Sequence, residues 1–287
     1  MFEFILLKPM FYIYSMSESL ITSNNSDVGI IDGKIRNGLF GSTLTWILEI
    51  LPYLKKNGIY PDWQIDTYCY GPIFPNIIKP KHITSKSNIK IDLIKLKSEH
   101  PYTYKESECN LAHDLFFEYF DIPNDILENV ENIIEKFAGK TLGVHFRGTD
   151  KFNLEADYIS QDDVLKNIIA FLSKSNEFHT IFVMSDEASF ITKINSEFSN
   201  KKYNIIYTNS LRSNNNEPIH PNRCNINNAK EAIIDSLILS KCDYIIKTSS
   251  CLSDWVKIWN PSIEVYNLNK FRYTWFPQSI IPVKTYI

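Results

Sequence analysis

The chain has 287 residues and a net charge of −3, with 30 Lys and Arg against 33 Asp and Glu. This balance argues against binding to a polyanion through a general basic field, so we expect no nucleic-acid partner. With 44% hydrophobic residues the chain can bury a sizeable core, and its length suits two modest domains better than one.

Cysteine usage and the amino terminus indicate the cellular compartment. The five cysteines form no Cys-x-x-Cys pair and leave an odd count, which argues against a disulfide framework and a structural zinc site. The apolar stretch 1–14 is short and is interrupted by Lys8 and Pro9, so we interpret it as one or two buried strands. We therefore expect a cytoplasmic protein without a transmembrane segment. The sequence leaves the oligomeric state open.

The first half has a mixed pattern. Residues 36–58 indicate a glycine-bearing loop that enters an amphipathic helix ending near Gly58, and residues 60–71 contain a predicted strand. We expect residues 72–106 to be irregular, because they carry many Pro, Lys and Ser. Two helices follow, over 111–120 and 124–138, and the second is predicted to link two domains.

From Gly139 onward, strands and helices alternate. The apolar runs 141–146, 180–185, 203–208, 244–249 and 262–268 predict strands, and helical spacing is found over 161–174, 187–198, 229–242 and 251–259. Continuous apolar strands that alternate with helices are typical of a doubly wound parallel sheet in an α/β, Rossmann-like domain. No glycine follows Gly148, so this half contains no P-loop and no Gly-x-Gly-x-x-Gly turn.

The segment LGVHFRGTDKFNLE (142–155) carries the strongest functional signal. Ligands of open α/β sheets bind at the carboxyl ends of strands, where HFRGTDK is predicted to lie. Arg147 offers a planar fork of donors for phosphate oxygens, and Gly148 allows the backbone to approach a ligand closely. Asp150 can orient Arg147 or bond a ribose hydroxyl. The alternative is an Arg–Asp surface ion pair that closes a turn.

HFRGTDK resembles the first conserved motif of the α-1,6-fucosyltransferase superfamily. That group includes the enzymes of N-glycan core fucosylation, the rhizobial nodulation fucosyltransferases and, more distantly, the protein O-fucosyltransferases. The core-fucosylating enzymes carry His-x-Arg-Arg-Thr-Asp-Lys with a Glu four residues after the Lys, and Glu155 keeps that spacing from Lys151. Gly148 is a departure, since the family often has a second Arg there. The segments 182–187 and 231–256 resemble later motifs in the same order, so the resemblance covers about residues 139–260.

The resemblance implies a GT-B-like fold, in which two Rossmann-like domains face a cleft. We expect an N-terminal acceptor-side domain over 1–136, a C-terminal nucleotide-sugar-binding domain over 137–270, and a tail over 271–287 that packs back on the first domain. The implied activity is an inverting, metal-independent transfer of fucose from GDP-fucose to a glycan hydroxyl, with no cofactor. Alternatives are the same fold with another donor such as UDP-xylose, and a non-catalytic nucleotide- or glycan-binding protein.

The resemblance also assigns roles to residues. Glu155 is the candidate general base, and Arg147 with the helix start at Ser249 and Ser250 would neutralise the departing diphosphate. The remaining donor-binding candidates are His145, Gly148, Asp150, Lys151, Asp186 and Asp235. In the first half, a loop of Asn37, Gly38, Gly41 and Ser42 is a candidate to face the cleft, although turn chemistry explains its glycines equally well.

Several of these residues have a structural alternative. Ser250 is also a natural N-cap, and Asp186 is placed either to contact the base or ribose or to cap the next helix. Asp235 lies on an apolar helix, where it bonds the nucleotide or a neighbouring loop, or is simply exposed. Two sets have a structural interpretation that we prefer: Arg212, His220 and Arg223 as parts of a solvated loop, and Trp255 and Trp259 as core residues.

Overall fold

The structure is a computed structural model that describes residues 29–35, 38–81, 89–149, 155–199, 201–215, 217–219, 224–272 and 276–287. The strands predicted over 1–14 lie outside the described residues. So do five residues singled out from the sequence: Asn37, Asp150, Lys151, His220 and Arg223.

The first part of the chain forms a four-stranded sheet with the order β3-β2-β1-β5. Strand β1 runs parallel to β2 and β5, and β3 is antiparallel to β2. The elements in chain order are β1 (Ile30–Ile35), a π-helical turn (Leu39–Leu44), α1 (Thr45–Lys56), β2 (Asp62–Thr67), β3 (Gly71–Pro72), β4 (Lys79–Pro80), β5 (Lys90–Asp92) and α2 (Leu93–Glu99).

Helix α1 is the amphipathic helix expected over this region. Its apolar side chains Ile47, Leu51 and Leu54 are fully buried, and the helix packs against α2 and α3 (Cys109–Tyr119). The helix ends where predicted, because Gly58 adopts a left-handed conformation with φ of 65°, which glycine reaches without steric cost. The residues predicted as a loop before the helix instead form the π-helical turn Leu39–Leu44.

The prediction that residues 72–106 are irregular was wrong for three elements, β4, β5 and α2. Strand β5 pairs with β1, an interaction between distant segments that a three-residue strand needs in order to form. Helix α2 follows at once, since the Asp92 carboxylate accepts a hydrogen bond from the backbone N–H of Lys95 and caps the helix. Leu93 and Leu96 then anchor α2 in the core.

Two helices follow, as predicted. They are α3 (Cys109–Tyr119) and α4 (Asn124–Ile134), separated by β6 (Phe120–Asp121), which pairs with β4 in a small antiparallel ribbon.

The second half forms a five-stranded, all-parallel sheet with the order β11-β10-β7-β8-β9. This confirms the doubly wound parallel sheet expected from the alternating pattern. Its elements are β7 (Lys140–Phe146), α5 (Gln161–Lys174), β8 (Phe178–Ser185), α6 (Ala188–Phe198), β9 (Asn204–Ile206), α7 (Ile226–Leu239), β10 (Tyr244–Lys247), α8 (Cys251–Asp254), α9 (Val256–Trp259) and β11 (Val265–Asn267).

The two halves share packed surfaces. Helix α3 packs against α1 and α9, and α4 packs against α7. Trp255, fully buried between α8 and α9, donates its indole N–H to the hydroxyl of Thr45 on α1 at 3.2 Å. Trp255 and Trp259 are therefore core residues, as expected. Because α3 packs against helices of both halves, the boundary at residue 136 stays a prediction.

The carboxy-terminal tail contacts both halves. The ring of Phe276 lies 4.9 Å from that of Tyr104, in the first half. Farther on, Val283 pairs with Asn267 next to β11, and Tyr286 packs against Phe171 at 5.3 Å. Within the described residues, no helix is long and apolar enough to cross a membrane.

Candidate active site

A cleft of about 730 Å³ is lined by residues from both halves of the chain. From the second sheet come residues at or just after the carboxyl ends of neighbouring parallel strands, which meet at one edge. His145 lies near the end of β7, Arg147 follows it, Asp186 follows β8, and Ser250 follows β10. The sheet thus brings together side chains that are about 100 residues apart in the chain.

Arg147 is held in place by Asp186. The guanidinium Nη1 lies 3.1 Å from one carboxylate oxygen of Asp186. The same carboxylate accepts hydrogen bonds from the Gly148 N–H at 2.9 Å and the Thr149 hydroxyl at 2.6 Å. The backbone N–H of Arg147 donates to the Thr248 hydroxyl at 2.8 Å. Asp186 therefore orients the turn that carries Arg147, a role that neither alternative from the sequence had given it.

The Glu187 carboxylate lies close against Gly148. A Cβ at position 148 would lie 1.9 Å from the Oε1 atom of Glu187, far inside van der Waals contact. Glu187 is itself buried, and its carboxylate accepts a hydrogen bond from Gln161 at 2.5 Å. Burial raises the pKa of Glu187. A side chain at 148 would therefore require the Glu187 carboxylate to move away from its present position beside Gln161.

His145 is a neutral, buried imidazole in the cleft wall. Only 3% of the residue is exposed, and within the described residues no atom hydrogen-bonds to its Nδ1. Burial lowers the pKa of His145 well below its usual value, and the charges of Lys247 and Arg147 lower it further. Lys247 lies opposite His145 on β10 and forms a fully buried ion pair with Asp254 at 2.7 Å. Each cation has a carboxylate partner, Asp254 for Lys247 and Asp186 for Arg147, and of the two only Arg147 lines the cleft.

Ser249 and Ser250 follow β10 but face different surroundings. The Ser249 N–H donates to the side chain of Asn269 at 2.7 Å, and its hydroxyl donates to the Asn269 carbonyl at 2.8 Å. Both the N–H and the hydroxyl of Ser249 therefore bond to Asn269, and Ser249 does not line the cleft. Ser250 lines the cleft and stands at the N-cap position of α8, but its side chain makes no capping hydrogen bond.

Asp235 bonds a neighbouring loop. Its carboxylate accepts hydrogen bonds from the hydroxyls of Thr208 at 2.7 Å and Ser210 at 2.8 Å. Burial raises the pKa of Asp235 to about 6. The Arg212 guanidinium donates to the backbone carbonyls of Thr208 and Ser210, and so it also stabilises this loop. Of the alternatives for Asp235, the bond to a neighbouring loop is the one observed, and Asp235 also lines the cleft.

Glu155 is half-buried and lines the same cleft. Its backbone carbonyl accepts a hydrogen bond from the Arg272 N–H at 2.8 Å, and the next residue, Ala156, pairs with Phe271. The tail therefore fixes the backbone on which the candidate base is carried.

The candidate loop of the first half also reaches the cleft. Gly38, Gly41 and Ser42 line it from the π-helical turn. A Cβ at Gly41 would lie 3.1 Å from the sulfur of Cys251, so this glycine allows the first half to approach the start of α8 closely. The Ser42 hydroxyl donates to the Gly38 carbonyl at 2.8 Å.

Among the cleft residues that were missed in the sequence are Trp46, Glu49 and Lys97. Trp46 and Glu49 lie three residues apart on α1, a spacing that places both on one helix face and could have been noticed. Lys97 lies on α2, in the segment predicted to be irregular. Burial raises the pKa of Glu49, and the neighbouring Lys97 opposes that shift.

Metal-ligating residues do not gather in the described part of the chain, where no group of three or more His, Cys, Asp or Glu could hold an ion. Metal independence stays a prediction.

Comparison with known families supports the resemblance to the α-1,6-fucosyltransferase superfamily. Residues 116–253, just under half of the chain, match the family model of α-(1,6)-fucosyltransferase N- and catalytic domains. No curated protein sequence is significantly similar to the chain.

Solved fucosyltransferase structures share the fold. The structure of NodZ from Bradyrhizobium is 14% identical, covers 85% of this chain and 96% of its own, and has a TM-score of 0.53. The structure of NodZ α-1,6-fucosyltransferase soaked with GDP-fucose is also 14% identical. It covers 86% of this chain and 99% of its own, with a TM-score of 0.51. The structure of POFUT1 in complex with GDP-fucose is 11% identical, covers 85% of this chain and 98% of its own, and has a TM-score of 0.50.

These comparisons confirm two predictions from the sequence. The fold is GT-B-like, with two Rossmann-like domains facing a cleft. The resemblance to the α-1,6-fucosyltransferase superfamily is also confirmed, and the family match indicates a glycosyltransferase.

Proposed function

We propose that this fucosyltransferase-like glycosyltransferase transfers fucose from GDP-fucose to a glycan hydroxyl, with inversion and without a metal ion. The observation that carries the proposal is the Arg147 guanidinium, held by Asp186 at the strand edge of a cleft that also contains Glu155. The GDP-fucose complexes of the structural neighbours support the choice of donor.

The proposed donor site lies where β7, β8 and β10 end. A diphosphate there would meet the Arg147 guanidinium, with Lys247 buried behind His145. His145 is neutral and its Nδ1 has no hydrogen-bond partner among the described residues, so this ring nitrogen can bond the nucleotide without adding charge. Asp186 holds the Arg147 turn before any ligand arrives, so little reorganisation is needed when negative charge develops on the leaving group.

In the proposed reaction Glu155 is the general base. The acceptor oxygen bonds to the anomeric carbon as the bond from that carbon to the diphosphate oxygen breaks. The electron pair of that bond leaves with GDP, and the hydroxyl proton passes to the Glu155 carboxylate. Asp150 and Lys151 remain proposed donor contacts on the basis of the family motif alone.

A donor screen tests the proposal most directly. We expect GDP and GDP-fucose to raise the melting temperature of the protein, and UDP and UDP-xylose to leave it unchanged. If only the uridine nucleotides stabilise the protein, the donor is a UDP-sugar and not GDP-fucose. If no nucleotide stabilises it, the proposed transferase activity is wrong. Transfer measured with and without EDTA should be equal if no metal takes part.

Two substitutions separate donor binding from chemistry. Arg147→Ala should lower kcat/KM about 10²–10³-fold and weaken GDP binding, because it removes the cation at the diphosphate. Glu155→Gln should keep GDP binding and lower kcat about 10²–10⁴-fold, the usual contribution of a general base. Arg272→Ala and Glu197→Gln, whose side chains are 49% and 33% exposed, are matched controls. Full activity of Glu155→Gln would remove it as the base.

A further inference from the structure

Residues 269–271, which follow β11 and which we call the linking segment, contact two parts of the proposed site. One part is the turn of Ser249 and Ser250 after β10, of which Ser250 lines the cleft. The other part is the segment 155–157, which carries the proposed base Glu155. The distance between the donor side and the base therefore depends on how these two parts are joined.

The backbone joins the linking segment to the base side. The Asp157 N–H donates to the Lys270 carbonyl at 2.8 Å, and Ala156 pairs with Phe271 in an antiparallel bridge. Phe271 itself lines the cleft. These contacts hold the segment 155–157 beside the linking segment, but they do not reach the turn after β10.

The side chain of Asn269 joins both parts at once. Its Oδ1 atom accepts a hydrogen bond from the Ser249 N–H at 2.7 Å, and its Nδ2 atom donates to the Asp157 carbonyl at 2.7 Å. These partners fix the orientation of the amide, because the Ser249 N–H needs an acceptor and the Asp157 carbonyl needs a donor. One planar group thus sets the spacing between Ser249 and Asp157.

The turn after β10 has other anchors, whereas Asn269 adds the connection to the base. The Ser249 hydroxyl accepts from the side-chain amides of Asn267 at 3.0 Å and Gln278 at 3.4 Å. In the described part of the chain, neither of these two side chains bonds the segment 155–157. Asn269 is only 7% exposed, so water cannot easily replace the bond that it donates.

We propose that Asn269 is a positioning residue for the transfer reaction, which keeps Glu155 at the distance from the donor that proton transfer requires. The inference rests on the proposed function, because it needs Glu155 as the base and the donor at the strand ends. Asn269 does not line the cleft, so it acts through Ser249 and Asp157. A displacement of about 1 Å is enough to lower the rate about 10²-fold.

The test is the release of GDP from GDP-fucose, with water alone and with a mixture of oligosaccharides as acceptors. It is measured at about pH 8, where carboxyl groups are ionised. Asn269→Asp keeps an acceptor for the Ser249 N–H but turns a second oxygen toward the Asp157 carbonyl, so it releases the base side. We expect kcat to fall about 10²-fold, while the melting-temperature shift produced by GDP is kept.

The matched control is Asn167→Asp. Asn167 is also buried, its Nδ2 atom donates to the Asp163 carbonyl at 2.8 Å, and its Oδ1 atom accepts from the Tyr286 N–H at 2.6 Å. The substitution therefore places the same carboxylate between a backbone N–H and a backbone carbonyl, at a position that does not line the cleft. Asn167→Asp should lower the melting temperature of the protein and leave kcat unchanged.

A double-mutant cycle separates positioning from a general loss of structure. In the Glu155→Gln background the base is already absent, so Asn269→Asp should lower kcat no further. Asn269→Ala, which introduces no charge, should show the same pattern: a fall in kcat when Glu155 is present and none when it is replaced. A purely structural role would lower kcat equally in both backgrounds.

The outcomes that contradict the inference differ from those that contradict the function. An unchanged kcat in Asn269→Asp, an equal fall in Asn167→Asp, or a fall that persists in the Glu155→Gln background would overturn the inference. The loss of activity in Glu155→Gln alone would then leave the proposed function in place. If the unaltered protein releases no GDP from GDP-fucose, or if Glu155→Gln is fully active, the proposed function or its base fails, and the inference fails with it.

Discussion

The two walls of the cleft are built in different ways. On the second-domain wall, the polar side chains are bonded to one another: Asp186 holds Arg147, and Asp235 holds Thr208 and Ser210. On the first-domain wall, the Trp46 ring and the ion pair of Lys97 with Glu49 are partly exposed. Preorganised groups suit a site where charge develops, and an open surface suits recognition of a varied ligand.

One ion pair on each side shows the contrast most directly. Lys247 and Asp254, 2.7 Å apart in the second domain, are both 0% exposed. Lys97 and Glu49, 3.2 Å apart in the first domain, are 30% and 25% exposed. Buried pairs are costly to break because the remaining charge has no partner, whereas partly exposed pairs are compensated by water. The predictions below test this difference.

The largest effect is expected for the buried pair. Lys247→Met should lower the free energy of unfolding by about 3–5 kcal/mol, because it leaves the Asp254 carboxylate buried without its cation. Urea denaturation at neutral pH measures this. The double variant Lys247→Met with Asp254→Leu should recover part of the loss. A change below about 1 kcal/mol in the single variant would remove the distinction between the two walls.

Asp235 should make stability depend on pH. Its pKa rises from 3.8 to about 6 on folding, so between these values the folded state binds more protons than the unfolded state. Stability should therefore fall as pH rises from about 4 to 6, by about 3 kcal/mol in total. The same urea curves for Asp235→Asn should lack this component. If the free energy of unfolding depends on pH equally in the unaltered protein and in Asp235→Asn, the raised pKa of Asp235 is not the cause.

Gly148→Ala should be destabilising by about 1–3 kcal/mol, because the new methyl group meets the Glu187 carboxylate. It should also lower transfer activity by displacing the Arg147 turn. A double-mutant cycle with Glu187→Ala tests the cause, since removing the carboxylate should restore most of the loss. If the two effects add without coupling, the contact between 148 and 187 does not explain the glycine.

The smallest effect is expected for the partly exposed pair. Lys97→Met should change the free energy of unfolding by less than about 1 kcal/mol, since the remaining Glu49 carboxylate can be solvated from the cleft. The measurement is the urea curve used for Lys247→Met, with Lys95→Met as the control. A loss as large as that of Lys247→Met would mean that the first-domain wall is as rigid as the second.

Much of the second domain could be predicted from the sequence. Its strands are continuous apolar runs and its helices have regular apolar spacing, and both are local properties of the chain. The position of His145 and Arg147 at the end of β7 follows from that pattern alone. The resemblance then singled out Glu155 and the segments around Asp186 and Asp235, but it could not say which side chains bond to each other.

The first domain was predicted less completely. Strand β5 has three residues and exists because β1 lies beside it, and α2 begins at a cap that directly follows this strand. No local pattern of hydrophobicity marks so short a strand. The position of Lys97 therefore could not be predicted, and without it Trp46 and Glu49 looked like ordinary positions on an amphipathic helix.

The sequence by itself determined the alternation of strands and helices, the motif at Arg147 and the replacement of an expected Arg by Gly148. Only the tertiary structure decided that Asp186 orients Arg147, that Glu187 lies against Gly148, and that Trp46, Glu49 and Lys97 line the same cleft as Arg147. These are contacts between segments about 35 to 100 residues apart. They form because parallel strands end at a common edge, a relation that exists only once the sheet has assembled.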